Sequence, residues 1–332
     1  MKVTLLGFGT VGKGLALALT DNGGRLRAKG TEIKLVAVAD SQSSAVDLAG
    51  LDPSFLAERK RSTGKVGDLT MSPIELVKEV GSDVVVELTP GNPKDGEPAL
   101  THIREALKSF RNVVSANKMP LALHYSELVD EAARRGVKLR YGACVGGGIP
   151  MLEMGKTCSE VEAIEGFDAV LNATSNFILT KMLDESSDYG SALNEAQRLG
   201  YAETNPSLDV DGFDAAAKLV ILANHVMGRK LALSDVHPLE GIRGITLEAL
   251  QAAEAKGRAV RPLARMHDSA EVKPTEVDAK SPLNVFGATN AVVFRCRDSG
   301  DRVISGSAGG GIATSRAVLR DLVDIATGVD SR

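Results

Sequence analysis

A short apolar run, Val3 to Leu6, ends in Gly-Phe-Gly-Thr-Val-Gly, so Gly7, Gly9 and Gly12 form a G-x-G-x-x-G turn ahead of a helix expected over Val11 to Leu19. The first glycine permits the tight turn, the second lets a pyrophosphate reach the backbone, and the third allows close helix–strand packing. Alone, the pattern is equally a bare strand–helix turn. Its context decides: Ile33 to Ala39 reads as a second buried strand, and Asp40 stands at its end, where an acid can accept from a ribose hydroxyl. The separation between them is longer than usual, as expected if Asp21 to Gly30 loops out. A doubly wound α/β domain of Rossmann type follows, with Gly7, Phe8, Gly9, Thr10, Val11, Gly12 and Asp40 at the dinucleotide.

The choice of coenzyme stays open. Asp40 favours NAD, because a carboxylate repels a 2′-phosphate. Ser41, Ser43 and Ser44 could solvate that phosphate, and Arg59-Lys60-Arg61 follows, although this basic run reads as a solvated face. Either NAD or NADP fits.

Length and charge bound the rest. A chain of 332 residues can hold two cores, and 25% charged residues with a net charge of −4 give no reason to expect a nucleic-acid or anionic-membrane partner. Cys144, Cys158 and Cys296 lack paired spacing, which argues for a reducing compartment and against disulfides or zinc. With no signal-peptide pattern and no apolar run of membrane length, a cytoplasmic protein with a small-molecule substrate is expected.

Further strand ends supply candidate ligand loops. Asp83 to Leu88 is a buried strand ending in Thr89-Pro90-Gly91-Asn92-Pro93, and Val113 to Lys118 repeats the arrangement with Ser115 and Lys118 at its end. Val137 to Tyr141 starts another strand before Gly142 to Pro150, a loop whose glycines expose carbonyls. Cys144 lies in that loop without a local base to activate it, and reads as structural. Asn172, Thr174 and Asn176 alternate with apolar residues and suggest a half-buried strand. Lys230 to Ala291 offers short strands and turns, Ala291 leads into a strand, and Thr314 to Ala326 reads as an amphipathic helix.

Ala196 to Lys218 is the densest polar stretch. Glu203, Asn205, Asp209, Asp211, Asp214 and Lys218 fall in a loop that runs into a helix starting near Gly212, with Asp211 and Asp214 spaced like a capping box. Asp214 and Lys218 lie one turn apart, and the LVILA that follows is apolar nearly all round, as in a buried helix. An Asp–Lys pair at the rim of a core explains two of these groups. The acids upstream are not needed for helix stability, and they suit a ligand with an ammonium and a reducible oxygen.

The same stretch resembles the homoserine dehydrogenase signature at Ala196, Gly200, Tyr201, Ala202, Asn205, Pro206, Asp209, Val210, Gly212, Asp214 and Lys218. Ser115-Ala116-Asn117-Lys118, Asn172 to Met182, and the closing Gly306 to Gly311 resemble further segments of that family, with departures at Ala173, Ser175, Ala308 and Ala313. The resemblance implies NAD(P)H-dependent reduction of L-aspartate 4-semialdehyde to L-homoserine, a step of threonine and methionine biosynthesis, and a homodimer. It implies proton transfer or charge stabilisation by Lys218, Lys118 or both, with Asp214 orienting Lys218 and keeping it charged. Ala173, Thr174, Glu203 and Asp209 would hold substrate, and Thr89, Ser115, Lys118 and Gly310 would join the coenzyme site. In the family a glutamate follows the tyrosine of the glycine loop and binds a monovalent cation with nearby carbonyls. Here that position is Gly142, which leaves the backbones of Val145, Gly147 and Ile149 as the metal candidates.

The expected domains are 1–138 for the nucleotide, 139–304 for an α+β substrate and dimerisation domain, and 305–332 returning to the first, with no regulatory extension. Two rivals remain: an acyl-phosphate-forming semialdehyde dehydrogenase, which would need Cys144, and a non-catalytic NAD(P) sensor. Neither accounts for the acids and lysine between Glu203 and Lys218.

Overall fold

The computed structural model describes residues 1–307 and 310–328. They divide into two compact units, Met1–Gly148 with Gly310–Arg332, and Ile149–Gly309. Ala308 and Gly309 of the closing glycine segment lie outside the described residues.

The first unit runs β1 (Lys2–Leu6), α1 (Thr10–Ala28), β2 (Lys34–Ala39), β3 (Ser44–Leu51), α2 (Pro53–Thr63), α3 (Pro73–Glu79), β4 (Val84–Glu87), α4 (Ala99–Lys108), β5 (Asn112–Ser115), α5 (Lys118–Arg135) and β6 (Leu139–Arg140). Its sheet has the order β3-β2-β1-β4-β5-β6, parallel except where β3 folds back antiparallel on β2. Leu35 to Ala39 and Val84 to Val86 are buried on both faces, which is why they read as unbroken apolar runs. The strand order reverses direction at β1, so the carboxyl ends of β1 and β4 flank the crevice where such sheets bind ligands.

The helix after the glycines is longer than the sequence pattern predicts. It does not stop at Leu19, and Asp21 to Ala28 continues α1 instead of looping out. Arg25 and Arg27 in its last turn suit the helix dipole, and the polar residues there occupy solvated turns. The extra spacing before Asp40 is therefore helix.

The second unit runs α6 (Met151–Ser159), β7 (Ile164–Val170), α7 (Ala173–Asp184), α8 (Tyr189–Arg198), α9 (Ser207–Val210), α10 (Phe213–Met227), β8 (Val236–Leu239), α11 (Leu247–Glu254), β9 (Arg258–Met266), β10 (Ala270–Asp278), β11 (Thr289–Cys296) and β12 (Gly300–Ser307). The sheet order is β12-β11-β7-β9-β10-β8, antiparallel apart from β8 on β10. The stretch from Lys230 to Ala291 thus holds two nine-residue strands and a helix, more than short strands and turns. Gly155 of α6 sits where a Cβ would come within 2.6 Å of Val226 and 2.8 Å of Phe294, so α6 packs tightly on α10 and β11. α12 (Gly311–Thr327) belongs to the first unit and packs on α1, where a Cβ at Gly14 would lie 2.8 Å from Ser315 Oγ.

Two further expectations need correction. The segment from Asn172 to Asn176 is not a strand: Asn172 caps α7, its Oδ1 accepting from Ser175 N–H at 2.7 Å. Ser175, Ile178, Leu179 and Met182 are buried at helical spacing, and that longer period overrides the short polar alternation. The domain limits also shift. β6 pairs with β5, so residues 139 and 140 complete the first sheet and the chain leaves that unit only after Gly148. Ser305 to Ser307 stay in β12, so the returning segment begins at Gly310.

Asp168 lies at the centre of one face of the second sheet. Arg265 Nε donates to it at 2.7 Å and Arg295 Nη2 at 2.9 Å, with His267 Nε2 at 3.2 Å. Burial pushes its carboxyl up, but these donors outweigh that and hold it below the usual aspartate value. A lowered folded-state pKa means the stabilisation is present at neutral pH and lost as pH falls through that lowered value. Asp168→Asn is expected to cost about 2 kcal/mol in urea unfolding at pH 7. The gap from the parent protein should narrow in acid below the range where Asp168 titrates.

Candidate active site

The glycine turn of the first unit is built as its sequence requires. Gly7 has φ +94°, and a Cβ there would come within 2.6 Å of Leu88 O; one at Gly12 would lie 2.4 Å from Gly7 O. Gly9 differs, since a Cβ there would meet nothing within 4 Å. That space lies over the start of α1, where Gly9 is an N-cap without a side-chain bond, so the first N–H groups of Thr10 and Val11 are offered to an anion. Phe8 is buried beneath the turn, and Gly310, at φ +98°, precedes α12.

Asp40 follows β2 as expected, but its surroundings differ from the sequence reading. Gln42 N–H donates to Oδ1 at 2.8 Å, Ser43 N–H at 2.9 Å, and Lys60 Nζ donates to Oδ2 at 2.6 Å. Burial pushes the carboxyl up, yet Lys60 and the two N–H groups prevail and hold it below its ordinary value. The basic run is therefore not wholly a solvated face. Arg61 pairs with Glu58 on the surface and Arg59 with Asp68, whereas Lys60 turns inward to Asp40.

The loops after β4 and β5 are tied together. Glu87, fully buried at the end of β4, accepts from Thr89 N–H at 2.6 Å and from the Thr89 hydroxyl, and His102 Nδ1 lies 2.7 Å from its other oxygen. Asn117 Nδ2 donates to Thr89 O at 3.0 Å, and Asn117 N–H donates to Ser115 Oγ at 3.0 Å. Lys118 is half-buried and opens α5, with Asn117 as the N-cap, so it stands at a helix start as well as after a strand. Cys144 is buried and its thiol donates to Ser115 O at 3.3 Å, in keeping with a structural cysteine. The pairing of His102 with Glu87 and of Asn117 with Thr89 was missed in the sequence, because each joins residues far apart along the chain.

The acid–lysine cluster belongs to the second unit. α10 begins at Phe213 after Gly212, whose φ of +89° places it in the left-handed region. The capping box expected of Asp211 does not form: Asp211 turns to Arg243, whose Nη2 donates to its Oδ2 at 3.2 Å. Asp214 is buried and pairs with Lys218 Nζ at 2.7 Å. The ammonium also donates to Leu171 O at 2.8 Å. Asn172 Nδ2 then bridges two carboxylates, donating at 2.7 Å both to Asp209 Oδ1 and to Asp214 Oδ2. Ser175 Oγ donates to Asp209 O at 3.0 Å, and Asn290 Nδ2 to Leu171 O at 3.1 Å. Every polar group aimed at Lys218 is thus held from behind.

The other candidates lie around this core. Thr174 spends its hydroxyl on Tyr201 O at 2.6 Å, while Ala173 begins α7. Glu203 is exposed, and among the described residues only its backbone is bonded, its carbonyl accepting from Gln197 Nε2 at 3.0 Å. Asn172 is the member of this cluster that the sequence pattern placed in a half-buried strand; an asparagine directly before a helical apolar pattern is the signal of a cap.

The glycine loop does not fit a tightly held cation. Gly142 brings no carboxylate, and its N–H donates to Asp321 Oδ2 at 3.0 Å. Val145 and Gly147 offer neutral carbonyls in the first unit, and Ile149 begins the second. Hard cations are held best by charged oxygens, and among the described residues no cluster of His, Cys, Asp and Glu is placed for a metal. No helix of the described residues is long and apolar enough to cross a membrane.

Comparison with known proteins bears on both units. Residues 7–142 match the model for the homoserine dehydrogenase NAD binding domain, and residues 150–323 match that for homoserine dehydrogenase. The chain is 42% identical to the homoserine dehydrogenase of Methanocaldococcus jannaschii over 98% of each protein. It is 35% identical to an NAD(+)-dependent homoserine dehydrogenase of Pseudomonas canavaninivorans, over 98% of this chain and 96% of the relative. A crystal structure of a putative homoserine dehydrogenase from Archaeoglobus fulgidus superposes with a TM-score of 0.91 at 37% identity, covering 98% of this chain and 99% of that one. A hyperthermophilic archaeal homoserine dehydrogenase mutant in complex with NADPH superposes at 0.86 with 30% identity, covering 99% and 98%.

Asn172→Ala removes a helix cap and two charge-assisted bonds together. It is expected to lower stability in urea by about 3 kcal/mol. A loss under about 1 kcal/mol would contradict the bridging role.

Proposed function

The chain belongs to the homoserine dehydrogenase family, and we infer that its acid–lysine cluster performs the family's reaction on this chain's own residues. That reaction is the reversible, NAD(P)H-dependent reduction of L-aspartate 4-semialdehyde to L-homoserine, a step toward threonine and methionine. The observation that supports it most is the Lys218 ammonium fixed between Asp214 and Leu171 O, with Asn172 tying Asp214 to Asp209.

The nicotinamide, when bound, supplies or accepts the hydride at the carbon that changes oxidation state. This chain's residues handle the proton and the positioning. In reduction, two electrons arrive at the carbonyl carbon as hydride, and the oxygen takes a proton. Lys218 is assigned that donation, with Lys118 as the second ammonium stabilising the alkoxide charge. Asp214 orients Lys218 and does not itself touch substrate. Glu203, exposed and with its carboxylate uncommitted among the described residues, is assigned the substrate ammonium, and Asp209 orders the cluster. The N–H groups at Ala173 and Thr174 open α7 and suit the substrate carboxylate better than the Thr174 hydroxyl, which is already committed.

Both NAD and NADP suit the coenzyme edge. Asp40 fits a ribose diol, and Lys60 beside it offers a cation to a 2′-phosphate. We place the enzyme in the cytoplasm, in keeping with three free cysteines. We also propose a homodimer through the face of the second sheet on which Val303, 47% exposed, lies near the Asp168–Arg295–Asp301 cluster.

Homoserine oxidation followed with NAD and NADP separately tests the assignment. Homoserine-dependent reduction of both coenzymes is expected, changing less than about twofold when sodium or potassium is withheld. No homoserine-dependent reduction of either coenzyme would overturn it. Lys218→Ala is expected to lower kcat by about 10³-fold with little change in KM, and Glu203→Ala to raise the homoserine KM with kcat nearly kept. Equal losses in both constants for both variants would contradict the separate roles.

A further inference from the structure

Glu87 is a carboxylate with no exposed surface, at the last rung of β4. Its cross-strand neighbours are Leu6 on β1 and Ser115 on β5, and Leu6 in turn pairs with Ala39 of β2, so no basic residue faces it along the rung. The sheet does not need an acid there, and burying one is costly unless it is fully paired. Its three polar partners identify its task. Two come from Thr89, its N–H and its hydroxyl, and the third position is filled by His102, itself 4% exposed on α4. Asn117 takes the remaining polar group of Thr89, donating to its carbonyl at 3.0 Å, and caps α5 through Met119 N–H at 3.3 Å. A Cβ on Gly91 would stand 2.7 Å from Asn117 Oδ1, so the loop lies directly against the start of that helix.

We propose that Glu87, backed by His102, is a positioning residue for the coenzyme: it locks the Thr89 loop and, through Asn117, the first turn of α5 that carries Lys118. This rests on the assignment of Thr89, Ser115 and Lys118 to the coenzyme site. Every link lies within the first unit. A buried carboxylate serves better than a neutral group, because it accepts both Thr89 donors at one oxygen while the other meets the imidazole.

The test compares Glu87→Ala, Glu87→Gln and Thr89→Val in steady-state kinetics with NADPH and aspartate semialdehyde, alongside melting temperatures. Glu87→Ala is expected to raise the NADPH KM by about tenfold or more, with the semialdehyde KM within about twofold. Glu87→Gln should stay within about threefold of the parent, since an amide can accept from Thr89 and donate to His102. Should Glu87→Ala fail to fold, Thr89→Val carries the test, and a rise of about threefold or more in the NADPH KM is expected. A lowered melting temperature with an unchanged NADPH KM would mean that Glu87 only stabilises the fold, and would overturn the proposal. Hydrogen exchange separates this from the site assignment beneath it. Residues 88–93 of the parent protein should gain protection when NADPH is added. Absence of that protection removes the site assignment and the proposal with it, whereas protection with unchanged KM in the folded variants overturns the positioning role alone.

Discussion

One side-chain amide holds the acid–lysine cluster together. Asn172 donates to Asp209 and Asp214, and Asp214 grips Lys218. Two carboxylates brought this close would repel each other, and the amide hydrogens between them offset that cost. The direction of the amide is fixed by Ser175 N–H on its oxygen, so both hydrogens must point at the acids. The helix cap and the site geometry are the same set of bonds. A cluster built this way cannot loosen without fraying the start of α7.

Backbone shape explains why these groups meet. Gly212 in the left-handed region lets the chain turn from α9 into α10 without a side-chain cap, so Asp214 is directed inward and is not spent on the helix end. Leu171, the last residue before Asn172, leaves its carbonyl for Lys218 and Asn290. In the first unit the same economy appears at β4, where Glu87 and Asn117 hold one threonine by its N–H, hydroxyl and carbonyl. Both sites therefore gain rigidity from polar groups whose burial would otherwise be unfavourable.

Local chemistry was legible in the sequence, and distant pairing was not. The glycine turn, the acid after β2 and the Asp214–Lys218 spacing are short-range patterns, and each appears where it was expected. The α7 segment misled because three polar residues at alternate positions imitate a strand over five residues, while the helical period shows only when Ile178 and Met182 are included. Asp211 looked like a cap until Arg243, 32 residues on, drew it away. Lys60 reaching back to Asp40, and His102 reaching Glu87, depend on tertiary folding that no local spacing announces. The longer α1 was hidden by polar residues that a solvated helix face tolerates as readily as a loop.

We propose that Lys218, steadied by Asp214 and Asn172, gives the proton to the substrate oxygen. A crystal structure of the full chain with NADP and homoserine tests it most directly. The account predicts the Lys218 ammonium about 3 Å from the homoserine hydroxyl oxygen, with the Asp214 contact kept. An ammonium turned away from that oxygen, with another side chain at bonding distance in its place, would contradict it.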